Sequence, residues 1–188
     1  MTTALSKYSL EIRPTGCARP NIPISTAALY LVRAYGMVVQ KYKNTVPKFD
    51  GIKLCIRKDA PETMKGLLAD VEAGYLAVSP EHSDQSIYGQ IGNMWFRWMH
   101  DMGHVATGLR MHHKGEVELA RYQLADVILG LQAQGLPEKD VAFCAALYMA
   151  DSAGQSDYLD VHGDFPVDQR EFVKDTVTQW GWVVHVEH

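Results

Sequence analysis

The residues at 141–150, VAFCAALYMA, form a run of ten apolar side chains that ends at Asp151. A helix with no polar face has to be enclosed by other elements on every side, and ten residues are about half of what a membrane crossing requires. The segment is therefore expected to be the central helix of a water-soluble core, with the carboxyl of Asp151 carried into that core. Asp151 lies in line with Cys144, Leu147, Tyr148 and Gln155 on such a helix. A buried carboxylate is costly unless it is paired or bound to a cation.

The rest of the chain is punctuated to fit a helical core. Residues 1–24 read as irregular, since Pro14, Gly16, Pro20 and Pro23 interrupt them. Apolar residues at helical spacing predict a helix over 25–40, capped by Ser25 or Thr26. IKLCIR at 52–57 reads as a short strand, and Pro61 as the first position of a helix running through 77. Further helices are expected over 86–107, 115–135, 138–158 and 167–179, with a strand-like WVVHV near the end. The fold class is all-α: one compact domain over 1–188, with five or six helices and a minor element of two strands.

Composition narrows the function classes. At 188 residues with a formal net charge of −4, the chain has no basic excess for nucleic acid. Its one short basic run, KYKNTVPK, reads as a solvated turn. Cys17, Cys55 and Cys144 are odd in number and far apart, which argues against a disulfide framework or a cysteine zinc site and fits a reduced, cytoplasmic setting. The first residues lack the basic and apolar regions of a signal peptide, and no membrane association is expected. Trp95, Trp98, Trp180 and Trp182 suit either a core or a homo-oligomer interface.

The segment MWFRWMHDMGH at 94–104 carries the chemistry. On a helical wheel Gln90, Asn93, Arg97, His100, Asp101 and His104 fall within an arc of about 100°, and apolar residues fill the remainder. This stripe contains no Lys or Glu, the residues usual on a solvated strip. Neutral imidazole and carboxylate bind divalent cations at roughly 2.0–2.2 Å, and the i,i+4 spacing stacks His100 and His104 one turn apart. His100, Asp101, His104 and Asp151 are thus candidate ligands for a divalent metal (Mn, Mg, Co, Fe or Zn), in a helical core over 80–160. His82, from the loop SPEHSD, is a further candidate. Glu116, at the edge of the apolar face of its helix, and His104 are candidate acid–base groups, and Arg97 a candidate for neutralising substrate charge. Glu118 points nearly opposite, into solvent. His112, His113, His162 and Asp164 read as solvated loop residues.

WMHDMGHVATG, then MHHKGEVELAR, then YMADSAG resembles the HD-domain metal-dependent phosphohydrolases over about 80–160. The resemblance implies an all-helical fold, one or two divalent metals, and hydrolysis of a nucleotide or related phosphate ester. It maps the His-Asp pair onto His100 and Asp101, the distant Asp onto Asp151, and the histidine after the pair onto His104. The family's first histidine has only His82 to match it, eighteen residues ahead of His100, where the family fits most of two helices. A second resemblance is to zincin peptidases, whose H-E-x-x-H stands here as H-D-x-x-H, with His100 and His104 as zinc ligands and Asp101 as base. A binding or inhibitor protein with a structural metal or a buried polar network is the non-enzymatic alternative.

Overall fold

The computed structural model describes residues 12–184. The first helix, α1 (Ile24–Thr45), buries Ala27, Ala28, Leu31, Ala34, Tyr35, Val38, Val39 and Tyr42. This is an i, i+3/i+4, i+7 stripe, and α1 packs through it against α3 (Gly89–Thr107), α4 (His113–Ala133) and α5 (Glu138–Met149). Helix α5 is enclosed as its composition requires: every residue from Val141 to Met149 is buried. It continues through a π-helical turn, Ala150–Gly154, into α6 (Gln155–His162). Helix α7 (Gln169–Gln179) packs against this turn and α5.

Close crossings of α3 rest on glycine. A β-carbon at Gly92 would lie 2.6 Å from the Val32 side chain of α1, and one at Gly103 would strike Leu119 and Gln123 of α4. Gly103 thus sits inside α3 rather than ending it. The Gln123 amide fills the space, donating to the Met99 carbonyl at 2.7 Å. Gly108 terminates α3 in the left-handed region, φ 73°.

A small parallel unit flanks the bundle. Strand β1 (Lys53–Ile56) pairs with β2 (Tyr75–Val78), joined by α2 (Met64–Glu72). The expected helix over 61–77 is therefore corrected at both ends. Thr63, not Pro61, opens it, its hydroxyl accepting from the Gly66 amide. Gly74, φ 83°, turns the chain so that Leu76, Ala77 and Val78 are buried as a strand. Arg57 binds Asp70 at 2.9 Å and Tyr75 at 3.1 Å, holding the unit together, and Trp98 of α3 donates to the Cys55 carbonyl.

At the other end, the expected terminal strand is reduced to one bridge between Ala18 and Trp182. The part of WVVHV beyond Val184 lies outside the described residues. Trp182 and Trp98 are buried, while Trp95 and Trp180 are half-buried. Helix α1 has Pro23 rather than Ser25 or Thr26 at its N-cap position and runs on to Thr45. Among the described residues, no helix is long and apolar enough to cross a membrane.

Candidate metal centre

The α3–α4 hairpin assembles the site. Gly108 ends α3, and its amide donates to the His104 carbonyl at 2.8 Å. The chain reverses over 109–112, and His112 caps α4 by accepting from the Gly115 amide at 3.2 Å. The turn closes tightly because Gly115 has no side chain, since a β-carbon there would fall onto the Arg110 carbonyl oxygen. Glu116 is consequently delivered in the first turn of α4, facing the two imidazoles that α3 stacks one turn apart.

Three side chains meet there. His100 Nε2 lies 2.8 Å from Glu116 Oε2, His104 Nε2 lies 3.1 Å from Glu116 Oε1, and the two Nε2 atoms are 3.1 Å apart. Donor atoms bound side by side to one ion at roughly 2.0–2.2 Å are separated by about 3 Å. Among the described residues, this trio is the group of histidine and acidic side chains that converges tightly enough to hold a metal. His104 is fully buried, and its Nδ1 lies 2.9 Å from the Leu109 carbonyl. A carbonyl can only accept, so Nδ1 carries the proton and Nε2 presents its lone pair to the trio, the usual outer support of a metal-binding histidine.

The three side chains need positive charge between them. His104 Nε2 faces a carboxylate oxygen and a second imidazole, and one proton on His100 Nε2 serves only one of the three contacts. Electrostatics agree with this need. Burial alone would lower the His100 pKa, but the Glu116 carboxylate beside it more than reverses the effect and raises it. Burial would raise Glu116, yet the hydrogen bond from His100 and the two imidazoles beside it hold its carboxyl down to about 2. Meanwhile His100 Nδ1 is buried without a hydrogen-bond partner, with its ring stacked on Phe96 at 5.8 Å.

No family model, curated protein or solved structure matches the chain.

The other candidate residues lie outside the trio. Asp101, half-buried on α3, stands outside the trio but within range of its charges. Burial lifts its carboxyl to about 6 against the pull of His100, His104 and Arg97. Asp151 is buried at the π turn, also outside the trio. Gln155 Nε2 donates to it at 2.7 Å, and Tyr88 hydrogen-bonds it. Arg97 donates to the Ser79 carbonyl at 2.6 Å and the Glu81 carbonyl at 2.8 Å, which pins the loop before α3. His82, at the exposed tip of that loop with φ 56°, stands apart from the trio. Glu118 is exposed. His112 caps α4, His113 pairs with Asp157 at 2.7 Å, and His162 and Asp164 are exposed.

Tyr88, Phe96 and the Leu109 carbonyl were not candidates. Phe96 borders the polar stripe on the wheel, a signal that could have found it. A backbone carbonyl has no signature in sequence.

Asp151 makes a pH prediction. Burial pushes its carboxyl up to about 7, so the fold favours the protonated acid. The stability this gives is complete below the ordinary carboxyl value near 4, and it is lost as pH rises toward 7. Asp151→Asn, which keeps shape without charge, is expected to be more stable than the wild type above pH 7 and to lose less stability between pH 4 and 7. Urea denaturation across that range measures it, and a variant less stable than wild type at pH 8 contradicts it.

Proposed function

We propose that the protein is a metal-dependent hydrolase in which His100, His104 and Glu116 hold one divalent ion and Asp101 acts as general base. The observation that carries this reading is the convergence of the three side chains, whose ligand atoms all lie within 4.8 Å of one another, with His104 oriented by the Leu109 carbonyl. Two histidines and a glutamate are a donor set found in catalytic zinc sites, where three protein ligands leave a position for water. Such an ion lowers the pKa of a bound water and polarises a carbonyl or phosphoryl oxygen.

The chain's own groups favour the zincin-like version of this chemistry. Asp101, beside a metal-binding histidine, is in the position to take a proton from water. Besides the trio's own Glu116, the Asp101 carboxyl lies within range of its charges, and both terminal nitrogens of Arg97 are engaged by loop carbonyls. Little positive charge is left for a phosphate polyanion, so an amide or ester carbonyl is the better substrate class. The HD-type phosphohydrolase reading is second. It is favoured by the shared influence of Asp101 and Asp151 on Arg97, which gathers the family's acidic pair on one side of α3. The three cysteines are unpaired, in keeping with a cytoplasmic setting.

The test is metal analysis followed by activity on a panel. One equivalent of tightly held zinc with cleavage of peptide amides is expected. Cleavage confined to phosphomonoesters or nucleotides would shift the reading to the HD type. A bound metal whose removal unfolds the protein, with no activity on any substrate, would replace both with a structural role.

A further inference from the structure

The two histidines of the trio are held by different means. His104 is fully buried, and its Nδ1 donates to the Leu109 carbonyl at 2.9 Å. His100 has no such support, because its Nδ1 is buried with no hydrogen-bond partner. When Nε2 of a neutral imidazole ligates an ion, the proton is carried on Nδ1, and an N–H closed off from both water and an acceptor is costly. Outer hydrogen bonds ordinarily fix the tautomer and ring orientation of a metal-binding histidine. His100 keeps 19% of its side chain exposed, so a swing toward solvent would relieve the orphaned group and withdraw Nε2 from the trio.

What opposes that swing is a ring. Phe96 precedes His100 by one helical turn on α3, and the i,i+4 spacing sets the two side chains over one another. Their centroids are 5.8 Å apart and their planes 27° from parallel, an offset stack. Phe96 is itself braced by three tyrosine rings, Tyr35 at 5.6 Å, Tyr88 at 5.9 Å and Tyr148 at 6.4 Å. Tyr35 of α1 and Tyr148 of α5 are fully buried, and Tyr35 donates to the Tyr88 hydroxyl at 2.7 Å. The stack therefore ties the orientation of His100 to a rigid aromatic cluster drawn from the packed core. The His100 ring also meets the edge of His104, with 4.7 Å between centroids.

We propose that Phe96 is a positioning residue of the metal centre, its ring holding the His100 imidazole in the ligating orientation that no hydrogen bond secures. The proposal rests on the metal-hydrolase reading and assigns different roles within the trio. His104 is the ligand anchored by a backbone carbonyl, and Glu116 is delivered by the turn before α4. His100 is the ligand whose place depends on packing, and hence the one that lets go first.

Zinc affinity by competition with a chromophoric chelator tests it, together with long-range ¹H–¹⁵N correlation of the imidazoles in the zinc-loaded protein. Phe96→Leu is expected to weaken zinc roughly tenfold, the lower end of what loss of a ligand's outer support costs. In the spectra, His104 should keep its wild-type pattern of metal-bound Nε2 and protonated Nδ1, while His100 broadens or shows mixed tautomers. Phe96→Met, which fills the space without a flat ring, should reproduce both effects. Phe96→Tyr, which keeps the ring, should restore affinity and the His100 pattern. A ring that merely fills the core would disturb the two histidines alike. Equal disturbance of both, or wild-type affinity in Phe96→Leu and Phe96→Met, overturns the positioning role and leaves the trio standing. Failure of the wild type to bind zinc overturns the metal-hydrolase reading and the positioning role with it.

Discussion

Replacing Glu116 with alanine is expected to lower affinity for divalent metal by about 100-fold or more. Loss of an outer hydrogen-bond partner of a metal ligand costs 10–100-fold, and Glu116 itself supplies the negative donor facing both imidazoles. The metal-free fold should weaken too. The Glu116 carboxyl sits at about 2 against an ordinary value near 4.3, a difference of roughly 2–3 kcal/mol at neutral pH. Because the folded pKa is depressed, that stability is present above the unfolded value and lost as pH falls toward 2. Removing the carboxylate also leaves His104, fully buried, facing a second imidazole. Equilibrium dialysis of zinc and urea denaturation at pH 7 measure both effects. Wild-type metal affinity in Glu116→Ala would rule out the trio as the binding site.

The pieces of the site that were legible in sequence are those a single helix determines. The wheel of α3 places His100, His104, Arg97 and Asp101 on one stripe because 3.6 residues per turn leaves little freedom, and the apolar run 141–150 requires a helix enclosed on all sides. Which groups on different helices meet is a matter of the chain reversal between them. Glu116 was read from its helix as an acid–base group at the edge of an apolar face. The turn over 109–112, closed by Gly108 and Gly115, brings it instead against both imidazoles as a third donor. Asp101 and Asp151 show the reverse case, since both are on inward-capable positions and yet neither joins the trio. For Asp101 the reason is angular: it lies about 100° round α3 from His100. The strand β2 was hidden inside an apparent helical run because Gly74 resets the backbone after Glu72, and a parallel pair has no local turn to announce it.

Asp101→Asn should leave metal binding within a few-fold of wild type and reduce kcat by about 10²–10⁴-fold on whichever amide the enzyme cleaves, the usual contribution of a general base. The asparagine keeps the side chain's shape and its place beside His100, and removes only the capacity to accept a proton. The pH profile gives a second readout. The Asp101 carboxyl, at about 6 without an ion, is brought lower by a nearby dication, since positive charge favours its ionised form. In the wild type kcat/KM should therefore fall on the acid side with an apparent pKa below 6, and in Asp101→Asn that limb should disappear from the residual activity. Were Asp101 a ligand, as in the HD pattern, the same substitution would remove metal and activity together. The ratio of metal lost to rate lost in this one variant therefore separates the two chemistries.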